Sequence, residues 1–270
     1  MTRLFSHLLL PLLLLLPVET SGAFAAPAAD CRQKSIDYLK TLAPSGFAIY
    51  GKMNDKSFFF QWLKCEDIQL GLSTAVHESV HRLTHERDAF PLIDYGELRR
   101  PHEVSAFFPP SAIAAKFDRD DPFVSTYLEL GHASSASDFL YLLDEMNAYA
   151  HDLNVAIALN RLRPADEYVD HRDGLAALMA FVAAYLEKAE HNDPLTWSGL
   201  RTPEVAKTIA GLWGQAETVM TRSCGIANFG SRDRGYIRHF CEDKQRSSLR
   251  QILGRPPICP AQCLQIAHNS

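Results

Sequence analysis

His77-Glu78-Ser79-Val80-His81 is an H-E-x-x-H run, and its spacing determines what it can do. On an α-helix, residues four apart differ by about 40° in azimuth and about 6 Å in rise, so both imidazoles leave one face and can meet a single tetrahedral cation. Glu78 is turned about 100° from His77, outside the ligand pair yet beside it. Zinc lowers the pKa of a bound water to about 7 in sites that keep an open coordination position. A carboxylate next to that water can take its proton and later deliver it to a leaving amine. The run therefore predicts metal-assisted hydrolysis, with one zinc per chain held by His77 and His81 and with Glu78 as general base.

Such chemistry needs a helix under the motif and a third ligand. The helix is expected from about Ile68 to Asp88, with Leu72, Val76, Val80 and Leu83 on one stripe. His85 continues the histidine series but stands about 12 Å along the axis from His77, too far to share an ion. The longer H-E-x-x-H-x-x-G-x-x-H pattern is absent, because Thr84 and Arg87 occupy the glycine and final histidine positions. A second helix is expected from about Ala136 to Asn160, with Ser135 and Asp138 placed like a capping pair and Pro164 beyond its end. It is apolar on two sides: Phe139, Leu142, Leu143, Met146, Ala150 and Leu153 form one stripe, and Tyr141, Ala148, Val155 and Leu159 populate the other. Two polar seams remain. Glu145 lies between Tyr141 and Tyr149, with Asp152 two turns on, while Asp144, Asn147 and His151 line the other side. A buried, unpaired carboxylate is costly, so at least one seam must face a metal, a cation or a hydrogen-bond network. Glu145, Asp144 and His151 are the candidate third ligands.

From Thr74 to Leu83 the chain resembles the zincin metallopeptidases, whose motif keeps uncharged neighbours like Thr74, Ala75, Ser79, Val80 and Leu83. Arg82 departs from that pattern. In the gluzincin branch a glutamate on a second, downstream helix completes the site, and Asp144-Glu145-Met146-Asn147-Ala148-Tyr149 looks like such a segment. Tyr149 stands where an acidic residue often follows the ligand by four. The resemblance thus implies Glu145 as third ligand and a peptide or protein substrate. It also implies a strand beside the motif helix that holds substrate extended. Ligating histidines usually donate their second nitrogen to a carboxylate, for which Asp144 and Asp152 are candidates. Tyr149, His151, Tyr168 and His171 are candidate donors to a developing oxyanion. Two other readings remain: a zinc amidase acting on a non-protein amide, and a non-catalytic, disulfide-stabilised exported binding protein.

The rest of the chain frames these helices. Residues 1–25 are expected to be a cleaved signal peptide: Arg3, an apolar run from Leu8 to Leu16, and Ala23-Phe24-Ala25 as the cleavage site. The product would be secreted or periplasmic, without stable membrane insertion. The remaining residues, 26–270, number about 245 and suit one domain. A net charge of -5 with no basic block disfavours nucleic acid as a partner. Six cysteines point to three disulfides in an oxidising compartment. Cys31 is expected to pair with Cys65, and the other two bridges to form among Cys224, Cys241, Cys259 and Cys263. A cysteine-ligated zinc site has only Cys259 and Cys263 at close spacing. A helix is expected over Cys31–Leu42, then a β-hairpin from Phe47–Tyr50 and Ser57–Trp62. Beyond these come a strand within 89–110, weak helix in 111–131, and helices at Gly174–Glu190 and Pro203–Arg222. A tail over 223–270 should be pinned by cystines, with a helix near 242–252. The fold class is α+β: a predominantly helical zincin-like domain, a small N-terminal β-hairpin, and a disulfide-pinned C-terminal tail. The hairpin, or a strand in 89–108, would be the substrate-holding edge.

Overall fold

Two helices of twenty residues each carry the architecture, and both begin where an aspartate caps them. In the computed structural model, which describes residues 29–164 and 166–265, Asp67 accepts a hydrogen bond from the backbone of Leu70 and Asp138 one from Leu140. Each satisfies an amide that the first turn leaves unpaired. The expected signal peptide, residues 1–25, lies outside the described residues. In chain order the elements are α1 (Ala29–Leu42), α2 (Pro44–Lys52), α3 (Lys56–Gln61), α4 (Ile68–Arg87), β1 (Ala89–Pro91), β2 (Glu97–Arg99) and α5 (Pro122–Leu128). They continue with α6 (Phe139–Ala158), α7 (His171–Asn192), α8 (Pro194–Leu200), α9 (Pro203–Ser223), α10 (Asp233–Cys241), α11 (Asp243–Leu253) and α12 (Ala261–Leu264). The fold is α+β and mostly helical, with one two-stranded antiparallel sheet in which Phe90 pairs with Leu98.

The hairpin expected over Phe47–Trp62 is a correction, because that segment is α2 and α3. Pro44 starts α2 at a position where its missing N–H costs nothing. Asp55 caps α3 by accepting from the amide of Ser57 at 2.9 Å and from its hydroxyl at 2.6 Å. The buried positions Gly46, Ile49 and Met53 then fall at helical spacing. Aromatic residues favour strands mainly by packing, and here Phe59 is fully buried from a helix, in the same apolar cluster as Leu39, Val76 and Val80. The real hairpin follows α4 directly.

Helix α6 runs between two apolar clusters. Leu143, Met146, Ala150 and Leu153 pack with α7 and α9, while Ala148, Val155 and Leu159 pack with α1 to α4. Each fully buried leucine, valine or methionine among them contributes roughly 1.5–3 kcal/mol. Helix α4 lies antiparallel to α6, since Gln69 donates to the carbonyl of Ala156 at one end and His81 meets Asp144 at the other. Gly71 lets the backbone of Lys64 rest against α4, where a Cβ would collide with it. The carbonyl of Pro91 in β1 accepts from Asn147 at 3.1 Å and bonds His151 at 2.9 Å, which fastens the hairpin to α6.

Disulfides join Cys31 to Cys65, Cys224 to Cys263 and Cys241 to Cys259. The first pairing and the confinement of the others to the tail are as expected, and a Cys259–Cys263 metal site is overturned because each is bonded elsewhere. Three bridges fit an oxidising compartment. Among the described residues no helix is long and apolar enough to cross a membrane. The tail is also held by Asp173, whose carboxylate accepts from the amides of Ser231, Arg232 and Asp233 at 2.7–2.9 Å.

Candidate metal centre

His77 and His81 leave α4 on the side that faces α6, and their Nε2 atoms come within 3.1 Å of each other. Oε2 of Glu145 stands 3.8 Å from the first and 3.5 Å from the second. Tetrahedral ligands at zinc bond lengths are separated by about 3.3 Å, so the triangle has the right size. The point equidistant from the three atoms lies about 2.0 Å from each, which is the length of a zinc–nitrogen bond. Glu145 Oε2 is buried without a hydrogen-bond partner, and two imidazole nitrogens facing each other need a cation or proton between them. Both observations fit a metal ion. The side chains of His77, His81 and Glu145 are 11%, 24% and 17% exposed, so the group is open to an entering ion. Among the described residues, these three form the one group of histidine, cysteine and acidic side chains that could hold a metal.

The neighbours support the same geometry. Oδ2 of Asp144 accepts from Nδ1 of His81 at 2.8 Å, which fixes that ring's tautomer and turns Nε2 toward Glu145. In the metal-free protein the two histidines share one proton. Burial, then the charge on His81, push His77 well below the ordinary histidine range. Burial also opposes charge on His81, but its bond to Asp144 and the nearby carboxylate of Glu145 outweigh it and carry the pKa up to about 10. Glu78 is half-buried on the next azimuth of α4. Burial raises its pKa, the nearby His81 lowers it, and Glu145 raises it again. A carboxylate so tuned is a better proton carrier near neutral pH than an exposed one.

Tyr149, one turn after Glu145, sets its ring edge-on to His77 with centroids 4.7 Å apart. Its far side abuts Gly174 of α7, where a Cβ would stand 2.5 Å from Cδ1. Its hydroxyl lies 2.7 Å from that of Tyr127. Tyr127 has no counterpart in the sequence reading, because its place depends on how 117–138 folds over α6. Burial raises the pKa of both phenols, and Glu145 adds to it. Both therefore stay protonated, and of their two hydroxyl protons only one is used between them.

The other candidates lie elsewhere. His151 is committed to the carbonyl of Pro91 and is held neutral, with burial lowering its pKa to about 4, so it is neither ligand nor oxyanion donor. Asp144 is behind His81 rather than in the ligand triangle. Asp152 bonds Nδ1 of His171 at 2.7 Å, not a ligand histidine. Tyr168 is half exposed. No protein-family model matches the chain, and neither does any curated protein or solved structure.

Proposed function

We propose that the protein is a zinc-dependent hydrolase of the zincin kind, most simply a metallopeptidase. The observation that carries this reading is the convergence of His77 Nε2, His81 Nε2 and the orphaned Glu145 Oε2 at zinc-ligand spacing. Zinc bound there would polarise a scissile carbonyl and acidify a water molecule. Glu78 accepts the proton of the attacking water and returns it to the departing nitrogen, a task its raised pKa suits. Asp144 keeps His81 oriented, and the ring of Tyr149 braces His77. The spare hydroxyl proton of the Tyr127–Tyr149 pair is a donor for charge developing on the carbonyl oxygen.

The test is metal content followed by turnover. Protein purified without added metal should contain about one zinc per chain, and His81→Ala should lose it. Glu78→Gln should keep the zinc while cleavage of a peptide library falls by at least about 100-fold. Full activity in Glu78→Gln, or zinc retained in His81→Ala, would refute the mechanism.

A further inference from the structure

Asp144 has a second carboxylate oxygen that the bond to His81 leaves over. Oδ2 accepts from Nδ1 of His81, but Oδ1 is enclosed and, among the described residues, has no hydrogen-bond partner. A buried carboxylate oxygen without a donor is costly. The hydroxyl of Thr84 is in the same state: the side chain is fully buried, and Oγ1 has no partner among the described residues. Elsewhere on α4 the buried hydroxyls turn back onto their own helix, Ser73 to the carbonyls of Gln69 and Leu70, and Ser79 to that of Ala75 at 2.7 Å. Thr84 makes no such bond, so its hydroxyl is turned away from the carbonyls that normally take it.

The helical repeat places that hydroxyl. Thr84 follows His77 by seven residues, which returns it to within about 20° of the same azimuth, and it follows His81 by three, so the Cβ atoms of 81 and 84 are about 5–6 Å apart. It therefore shares the side of α4 that faces α6. In this antiparallel pair Gln69 lies opposite Ala156 and His81 opposite Asp144, which sets Thr84 opposite Tyr141. Side chains lean toward the N-terminus of their own helix. Thr84 thus leans back toward the level of His81, and Asp144 leans toward the level of Tyr141. The two converge on the Nδ1 side of His81, away from the ligand triangle. They do not bond each other directly, and one water shared between two enclosed polar groups is the common way to satisfy such a pair. That water donates to Oδ1 of Asp144 and accepts from the hydroxyl of Thr84.

We propose that Thr84 is a positioning residue of the metal centre: through one buried water its hydroxyl holds Asp144, and Asp144 in turn holds the ring of His81. The inference rests on the metal-centre reading for its purpose, but the contact it names is present with or without zinc. The experiment therefore follows the Nδ1 proton of His81 by nuclear magnetic resonance in the full chain, both zinc-loaded and chelator-treated. Thr84→Val, which keeps the shape and removes the hydroxyl, should speed exchange of that proton with solvent by about 10-fold, the worth of one hydrogen bond to a charged group. Thr84→Ser should restore the wild-type rate. In an Asp144→Asn background Thr84→Val should add no more than about twofold, because members of one network do not act additively. Thr84→Ala serves if the valine variant melts early. An unchanged rate in Thr84→Val overturns the proposal, as does a serine variant that behaves like valine, or an equal acceleration with and without the Asp144 carboxylate. Zinc content and peptide cleavage of the wild-type chain report on the metallopeptidase reading separately, so the two can fail independently.

Discussion

Replacing Asp144 by asparagine tests how the proposed metal centre would be held. The carboxylate accepts from His81 Nδ1 at 2.8 Å and is nearly enclosed. A hydrogen bond to a charged group contributes about 1.5–3 kcal/mol, a neutral one about 0.5–1.5. Asparagine keeps an acceptor but loses the charge, so the difference is about 1–1.5 kcal/mol, or close to tenfold in zinc affinity. Proton competition modifies that figure. Without metal His81 holds a proton up to a pH of about 10, and zinc must displace it. Asp144 strengthens proton and zinc binding alike, so near neutral pH its loss weakens both competitors and the deficit is small. As the pH rises toward 10 the proton begins to leave unaided, so the deficit should grow to about threefold at pH 9.5 and reach its full size of about tenfold only above about pH 11. Chelator-competition titrations at pH 7 and pH 9.5, with helical content checked by circular dichroism, measure it. Wild-type affinity at both pH values, or a deficit that shrinks as pH rises, would refute the assignment of Asp144 as the group orienting His81.

Gly174→Ala should drive a methyl group into the ring of Tyr149 and lower stability by about 1–3 kcal/mol, seen as an earlier thermal melt. Zinc affinity should fall with it, because the displaced ring leans on His77. His151 gives a pH signature in stability. Its folded pKa of about 4 lies below its unfolded value, so the unfolded chain binds more protons. The stability it confers is complete above pH 6.5 and drains away as the pH falls toward 4, by roughly 3 kcal/mol in all. His151→Gln can still donate to Pro91 and should flatten that slope in denaturant midpoints measured from pH 7 to pH 4.5.

What the sequence revealed follows the range of the forces involved. Helices α4 and α6 were legible within three residues at each end because their apolar stripes repeat locally, although α6 is capped by Asp138 itself and not by the expected Ser135–Asp138 pair. The cystine partition was legible from chain distance alone. The segment Phe47–Trp62 was misread since its aromatics satisfy either periodicity, and the deciding contact, Phe59 against α4, is tertiary. Tyr127 was invisible for the same reason, as it gains its meaning from Tyr149 on the next helix. His151 sat on the right helix, but its partner, the carbonyl of Pro91, carries no side-chain signature at all.

Asp144 and Glu145 are consecutive residues that grip opposite edges of one imidazole, the first at Nδ1 and the second toward Nε2. A slip of α6 by one position would swing both through about 100°, and neither could then reach His81. Under the proposed zinc reading, metal uptake would double as a vernier for the rotational setting of α6. Core substitutions that let that helix turn between its two apolar flanks would be registered by the metal before the chain loses its far-ultraviolet helical signal.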